Sequence, residues 1–465
     1  MRTPSALAIL CGGQLLVVLD QTIVNVALPV IQDDLDFSPA GLAWVVNGYL
    51  IGFGGFLLLA GRLGDLIGRV RVLLAGTVLF SLASVACGLA TGPGSLIAAR
   101  FVQGIGGALL SAVALGMIVA LYPEARERAT AIGFFSFVAA VGGALGPIIG
   151  GALTQGLSWH WIFFVNVPIG AFITVAAARV LPAERGPGLR SGADVPGAVL
   201  ITGGLMLTIY TIVSPSWTTG VLAAVLLAGF VVRQATAATP LLPLRLFRSR
   251  TLSGANGVQL LLVGAMFGFL FLSTLLLQRV FGFGVSETGF ALLPAPVAIA
   301  VVTLLFSPRL NTRFGEPPVL AAGLVLIFAG FLVLTQVPVE GPYATRLLPG
   351  ILLVAVGFGT AIPALTGLAM AGARPEDAGL ASGVFNTGQQ VGGALGLAVL
   401  ATLAASRTGS SSAPGALLAG YHLAFGVAAA LVATAFVLTI VVLHRTWYPV
   451  AENRPAADVS DATVK

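Results

Sequence analysis

Long apolar runs recur along this chain, each about the length of one membrane crossing, and short polar turns separate them. A hydrocarbon core about 30 Å thick requires roughly 20 apolar residues for each helical crossing. The chain lacks the alternating apolar and polar strands that a membrane barrel requires. The pattern predicts fourteen membrane-spanning helices, near residues 6–31, 43–61, 72–92, 94–122, 129–154, 160–181, 194–213, 217–234, 252–277, 287–307, 318–338, 346–372, 379–405 and 421–444.

Two parts of the chain repeat each other. The hexapeptide VGGALG occurs at 141–146 and again at 391–396, and the segment 61–76 aligns with 308–323. An even number of predicted helices separates the copies, so the repeats run parallel. We therefore expect an all-α membrane fold with four parts. They are a six-helix bundle at 1–183, a two-helix insertion with a basic connection at 184–250, a second six-helix bundle at 251–446 and a disordered cytoplasmic tail at 447–465.

Charge placement predicts the orientation of the chain. Only 9% of the residues are charged, and the net charge is +6. Cytoplasmic loops of membrane proteins are rich in lysine and arginine. If both termini are cytoplasmic, the basic residues of the connecting segments fall on that side, except Arg279, Arg346 and Arg407. The positive charge is therefore explained by topology in a lipid bilayer, and we expect no nucleic-acid partner.

Several classes of protein are excluded by residue usage. Mean hydropathy of +1.01 excludes a soluble globular protein. An ATP-driven pump needs a lysine in its phosphate-binding loop, and the only lysine is Lys465. Cys11 and Cys87 lie in apolar runs, which argues against a disulfide framework or a metal site. The histidines lie near predicted helix ends, which argues against a membrane-embedded enzyme. We expect no metal and no cofactor.

Two charged residues lie inside predicted helices. Asp20 is the only acidic residue deep within one, and an intramembrane carboxylate is by default a candidate functional group. Exposed alternately to the two sides, it could bind and release a proton; the alternative is a structural polar contact. Arg100 lies about two turns inside the fourth helix, at a cost of roughly 3 kcal/mol unless it finds a partner. It either faces a central cavity or extends to the outer interface.

Amide side chains mark a candidate substrate cavity. Three of them occur in the first helix at spacings of 7 and 4, which places them in one stripe. Another lies in the fourth helix, and three lie in the thirteenth, where they either contact substrate or bridge helices. The candidate cavity residues are Gln14, Gln21, Asn25, Gln103, Asn386, Gln389 and Gln390.

A short loop, GRLGDLIGRVR, follows the second predicted helix. Its glycines permit a tight turn and close helix approach. Its acid can pair with a nearby arginine or a helix N-terminus, and such a contact would hold one conformation. The alternative is plain cytoplasmic positive charge. The candidate latch residues are Gly61, Asp65, Gly68, Arg69 and Arg71.

The fifth predicted helix contains GGALGPIIGGAL. Gly142, Gly146 and Gly150 share one face at four-residue intervals, which favours close helix packing. Pro147 removes a backbone donor and can bend the helix. Together with Gly151, these residues suit a hinge-like contact between the two halves; the alternative is simple packing.

These segments resemble the motifs of the major facilitator superfamily. Its loop signature, G-x-L-x-D-x-x-G-R-x-x-x-x-L, is matched by Gly61, Leu63, Asp65, Gly68, Arg69 and Leu74. RFVQG in the fourth helix resembles its R-x-x-Q-G motif, and GGALGPIIGG resembles its antiporter motif, G-x-x-x-G-P-x-x-G-G. LDQTIVNVALP and WHWIFFVNVPIG resemble segments of the fourteen-span drug:proton antiporters.

The resemblance implies a function. It implies a monomeric, multi-pass transporter of the cytoplasmic (inner) membrane that exports small hydrophobic drugs or antibiotics in exchange for protons by alternating access. It also implies that Asp20 and Arg100 couple transport to protons, and that the loop at 61–71 is a conformational latch. The alternative is a proton-coupled uptake symporter of the same fold, which the extra helix pair and the motif at 142–151 disfavour.

Overall fold

The computed structural model describes residues 3–122, 124–182, 188, 192–372, 378–409, 411 and 413–443. In this part of the chain, 14 helices are long and apolar enough to cross a membrane, and no strand occurs. They are α1 (Pro4–Asp34), α2 (Gly41–Ile67), α3 (Arg69–Gly88), α4 (Pro93–Leu121), α5 (Thr130–Gly156), α6 (Trp161–Val180), α7 (Val195–Val213), α8 (Trp217–Thr236), α9 (Arg250–Val280), α10 (Val285–Phe314), α11 (Glu316–Leu334), α12 (Leu348–Ala371), α13 (Gly379–Thr408) and α14 (Pro414–Val442).

The predicted all-α class and the number of crossings are therefore confirmed. Every predicted span overlaps one observed helix, but several helices continue further, as α1 does to Asp34. The hydrocarbon core fixes the minimum length of a crossing, whereas a helix can continue into the polar interface. The predicted cytoplasmic tail at 447–465 lies outside the described residues.

Helices α1–α6 pack mainly on one another, and so do α9–α14. We call these two groups the first and second halves. The turns after α2 and after α10 contain glycines with positive φ, Gly68 at 101° and Gly315 at 81°. The alignment of 61–76 with 308–323 pairs these two glycines. The same left-handed turn, which favours glycine, is thus used at the same point of each repeat.

The halves meet along two seams. Helix α2 packs on α13 at one seam, and α5 packs on α10 at the other. Because α5 and α13 carry the VGGALG repeat, and α2 and α10 precede the repeated loop, the two seams are equivalent positions. The inserted helices α7 and α8 pack on each other, and α7 also packs on α2 and α13.

We call the side on which α1 ends the outer side, following the predicted orientation. There the halves are joined by side chains of α9. Gln278 Nε2 donates to the carbonyl oxygen of Val26 at 2.8 Å. Arg279 donates to the carbonyl oxygen of Pro29 at 3.1 Å and forms an ion pair with Asp33. The outer side is therefore closed by polar contacts between the halves.

A buried carboxylate holds the insertion together at its base. Asp194 caps α7 by accepting from the Gly197 amide at 3.1 Å. It also accepts from Arg233 Nε at 2.9 Å and Gln234 Nε2 at 2.8 Å, both on α8. The side-chain oxygen of Gln234, Oε1, accepts in turn from the backbone amide of Leu242 at 2.9 Å. One acid thus fixes both inserted helices, and Gln234 extends the network into the connection that follows.

Replacing Asp194 with asparagine is expected to lower stability at neutral pH and to matter less in acid. Burial of the Asp194 carboxyl opposes its ionisation, but the hydrogen bonds from Gln234, Arg233 and Gly197 outweigh this and hold its pKa below the ordinary value. Because folding lowers the pKa of Asp194, the ionised carboxylate stabilises the fold at pH values above its ordinary pKa near 3.8. This contribution is lost as the pH falls through the pKa of the folded state. Melting temperatures of both proteins across pH would measure this. A difference that does not change with pH would contradict it.

Glycine is required where α2 crosses α4. A Cβ on Gly104 would overlap the carbonyl oxygen of Tyr49, which is backbone and cannot turn aside. We expect Gly104→Ala to destabilise the protein by about 1–3 kcal/mol, because the two helices must separate. Gly94→Ala is the matched control, since in the described part of the chain no neighbouring element lies within 4 Å of its new Cβ. Thermal unfolding in detergent measures both variants, and equal melting temperatures would show that the crossing tolerates a methyl group.

Candidate functional site

A charged cluster lies buried inside the first half. Asp20 is 0% exposed and Arg100 is 1% exposed. Arg100 Nη1 donates to Asp20 Oδ2 at 2.6 Å. The other carboxylate oxygen, Oδ1, accepts from Gln103 Nε2 at 2.8 Å and from Asn166 Nδ2 at 2.7 Å. Helices α1, α4 and α6 therefore meet at one carboxylate.

Arg100 is held through two nitrogens of its guanidinium group. Its Nε donates to the carbonyl oxygen of Val45 at 3.0 Å, and Nη1 also donates to Gln103 Oε1 at 2.7 Å. Its guanidinium carbon lies 4.5 Å from the centre of the Tyr49 ring and 5.7 Å from that of Phe163. Such contacts stabilise a desolvated cation. Arg100 thus neither extends to the outer interface nor faces an open cavity in this conformation; it lies in the interior of the bundle.

Gln103 belongs to this cluster and not to a substrate cavity. It is 0% exposed, and its amide nitrogen also donates to Ser84 Oγ at 2.8 Å. Its carbonyl oxygen accepts from Arg100 and, at 3.6 Å, from Cys87 Sγ. Both ends of the amide are occupied within the protein. The expectation that Gln103 lines an open cavity is therefore wrong for this conformation.

Sequence reasoning missed Asn166 as a partner of Asp20. The feature that could have identified Asn166 is its position as an amide in an otherwise apolar run, WHWIFFVNVPIG, at a depth where an unpaired polar group is costly. The distance along the chain hid the contact, since 146 residues separate the two side chains. Ser84 and Tyr49 were missed for the same reason.

The polar atoms that reach the Asp20 carboxylate are all donors. An ionised carboxylate accepts hydrogen bonds only, whereas a protonated one must also donate. The described neighbours thus match the ionised form, and Arg100 balances its charge. Adding a proton would remove the negative charge that balances Arg100 and leave a buried cation without its counter-ion. The cluster can therefore couple a change of charge to a change of helix contacts.

The remaining amides lie at several places. Gln14, Gln21 and Asn25 on α1 are half-buried. Asn25 lines a cavity of about 210 Å³ between α1, α5, α9 and α10. On α13, Asn386 and Gln389 are also half-buried, whereas the buried Gln390 packs at the α2–α13 seam, 2.8 Å from a Cβ placed on Gly54. Asn25 therefore lies beside the α5–α10 seam, whereas Gln390 lies between the halves at the α2–α13 seam.

The loop at 61–71 forms weak exposed contacts. Arg69 Nη2 lies 3.5 Å from Asp65 Oδ1, and the Asp65 side chain is 59% exposed. An exposed pair of this kind contributes about 0–1 kcal/mol. Arg69 Nη1 also donates to the carbonyl oxygen of Gly116 on α4 at 3.0 Å. Arg71 is exposed, and among the described residues no neighbouring part of the protein lies within 4 Å of a Cβ placed on Gly61. Arg69 thus fastens the loop within the first half.

The glycine stripe of α5 packs on α1. A Cβ on Gly142 would lie 3.0 Å from Leu15, and one on Gly150 would lie 2.6 Å from the carbonyl oxygen of Ile23. Gly146 faces Thr22 with no room for a Cβ. The stripe therefore lies within the first half and does not make the predicted contact between halves.

The neighbouring face of α5 makes that contact instead. A Cβ on Gly151 would lie 2.8 Å from Ser286 Cα on α10, and a Cβ on Gly289 of α10 would overlap the Pro147 carbonyl oxygen. The motif thus joins two interfaces at once. Its glycines fit α5 to α1, and its proline and last glycine fit α5 to the second half.

Comparison with known proteins identifies the family. The sequence profile of the Major Facilitator Superfamily matches residues 10–397. The cephamycin export protein CmcT of Amycolatopsis lactamdurans is 39% identical over 463 residues, which cover 97% of this chain and 94% of that protein. The puromycin resistance protein pur8 of Streptomyces alboniger is 35% identical over 97% of this chain and 92% of its own length.

Solved structures agree on the fold. A bacterial homologue of the human lysosomal transporter Spinster, inward-facing and unoccupied, superposes with a TM-score of 0.69 at 17% identity, covering 96% of this chain and 99% of that one. The D-xylose-proton symporter superposes with a TM-score of 0.70 at 15% identity, covering 94% and 97%. The chain therefore belongs to the Major Facilitator Superfamily and is a multi-pass transporter of the cell membrane.

Proposed function

We propose that this protein exports small hydrophobic drugs or antibiotics from the cytoplasm in exchange for protons, by alternating access. The observation that carries the proposal is the buried Asp20–Arg100 pair within the first half. An ion pair sealed from water costs more free energy than an apolar contact of similar shape, so it is weak support for stability alone. Intramembrane charges of this kind mark ion and proton pathways.

Relatives support the direction of transport. The cephamycin export protein, the puromycin resistance protein and the tetracenomycin C resistance and export protein of Streptomyces glaucescens share 35–39% identity with nearly all or most of this chain. Their names describe export of, or resistance to, antibiotics. We extend this class of substrate to the present chain.

In the proposed cycle, Asp20 takes up a proton from the outer side as substrate leaves. Protonation removes the charge to which Arg100, Gln103 and Asn166 donate, and this favours rearrangement of α1 against α4 and α6. After the return to the inward-facing state, Asp20 releases the proton, and substrate can bind again. Reciprocal linkage requires that proton and substrate each weaken the binding of the other.

The direct test uses inverted membrane vesicles with an acidic interior. Cephamycin, puromycin or a bisbenzimide dye is added to the medium, and the proton gradient is followed with a pH-sensitive probe. An antiporter moves the compound inward and protons outward, so the gradient collapses on addition. Vesicles without the protein are the control.

A second loading separates export from uptake. If the gradient collapses only when compounds are preloaded inside the vesicles, protons and substrate move together, and the protein is an uptake symporter. If compounds move without any change in the gradient, proton coupling is wrong.

A further inference from the structure

The two equivalent seams differ in their surroundings. At the α2–α13 seam, contacts run from the middle of α2 toward its inner end, where a Cβ on Gly383 would lie 2.9 Å from Leu58. The inserted helix α7 also lies against this seam. Thr202 of α7 fills the space beside Gly55 of α2, and Ala198 of α7 packs with Leu59. The insertion thus covers this seam on its lipid side.

The tightest contacts of the α5–α10 seam lie toward its outer end. The close approaches there join Pro147 and Gly151 of α5 to the first turns of α10. In the part of the chain that the structure describes, α7 packs on α2 and α13, so the insertion covers the opposite seam. Inward of the tight contact, large apolar side chains of both helices are exposed: Phe134, Phe137, Leu304, Leu305 and Phe306.

A cavity of about 210 Å³ lies where the α5–α10 contact loosens. Small or apolar residues of α5 and α10 form its walls, including Ala140, Gly143 and Ala300. Its polar groups come mainly from α1, where Thr22 and Asn25 lie two and five residues beyond Asp20. Such a lining accepts carbon-rich molecules and offers them a hydroxyl and an amide.

We propose that the α5–α10 seam is the port through which substrate enters from the bilayer, and that the insertion closes the equivalent route at the α2–α13 seam. The occupant is an uncharged or weakly charged lipophilic molecule dissolved in the inner leaflet. It reaches the cavity laterally, between α5 and α10, and there contacts α1, the helix that carries Asp20. This inference rests on the proposed export function and adds the route.

Filling the cavity from α10 tests the port. Ala300→Trp places an indole in the cavity, whereas Val297→Trp, three residues away on the same helix, is the matched control because Val297 is exposed and does not line the cavity. The probe is a bisbenzimide dye that fluoresces in the bilayer, followed in vesicles as it is removed. We expect Ala300→Trp to lose most of the transport rate and Val297→Trp to keep it. Wild-type rates in Ala300→Trp would overturn the port while leaving the export function intact.

Cysteine labelling tests access to the cavity from the bilayer without measuring transport. Cys11 and Cys87 are buried, so the unmodified chain supplies the background. A pyrene maleimide dissolved in the bilayer should label Ala300→Cys quickly, and should label Thr202→Cys slowly because Thr202 is buried where the insertion packs on α2. Equal labelling of the two positions would overturn the asymmetry of the seams. Fast labelling of Ala300→Cys in a protein that moves no dye would instead reject the export function.

Discussion

Asp20→Asn is expected to abolish proton movement coupled to transport. Asparagine keeps the shape of the side chain and can still accept a hydrogen bond, but it cannot exchange a proton near neutral pH. In inverted vesicles, transported compounds should no longer collapse the gradient. Binding of the compound, measured by dye polarisation, should persist, and its dependence on pH should disappear. This combination distinguishes loss of coupling from loss of the fold.

The control for this experiment is Asp36→Asn. Asp36 is exposed, lies just after α1 and has a φ of 54°, a conformation that asparagine tolerates well. The chemical change is the same, but the carboxyl group lies outside the buried cluster. Coupling should remain at the wild-type level. A protein that still exchanges protons for substrate with Asn at position 20 would remove Asp20 from the mechanism.

Arg100→Met is expected to destabilise the protein by about 3–5 kcal/mol, because the Asp20 charge then lies buried without its partner. Methionine nearly fills the space of the arginine stem, so the loss reports mainly the charge and its hydrogen bonds. Unfolding in detergent by heat or denaturant measures the change. Arg179→Met, at an exposed position near the end of α6, should stay within about 0.5 kcal/mol of wild type.

The double variant Asp20→Asn with Arg100→Met decides whether the pair acts as a unit. With both charges gone, no unpaired ion remains, and part of the lost stability should return. If the losses of stability in the two single variants simply add up in the double variant, the two side chains contribute to stability independently. The ion pair would then have no special part in the first half.

The partners of Asp20 illustrate what a linear pattern cannot encode. Asp20 stood out in the sequence because a charge inside an apolar run is costly, whatever surrounds it. The sequence also contained Arg100, but not the 2.6 Å contact between them, nor the two amides that complete the cluster. The side chains come from three helices far apart in the chain, and only helix packing brings them together.

The glycine motif of α5 shows the same limit in another form. Its four-residue spacing predicted a closely packed face, and the face exists. The spacing did not say which helix packs there, and the stripe faces α1 instead of the second half. Small residues permit close approach to any neighbour, so the choice depends on the shapes of both surfaces.

The fold class, the number of crossings and the internal repeat could be predicted from the sequence. The first two follow from a local requirement: a segment in lipid must be apolar, long enough and helical, so that its backbone groups pair internally. The composition of the Asp20 cluster, the burial of Gln103 and the seam that the insertion covers became visible only in the folded protein. These features depend on contacts between helices that are distant in the chain. Side-chain fit and hydrogen bonding select such contacts, and the hydropathy pattern along the chain contains no information about either.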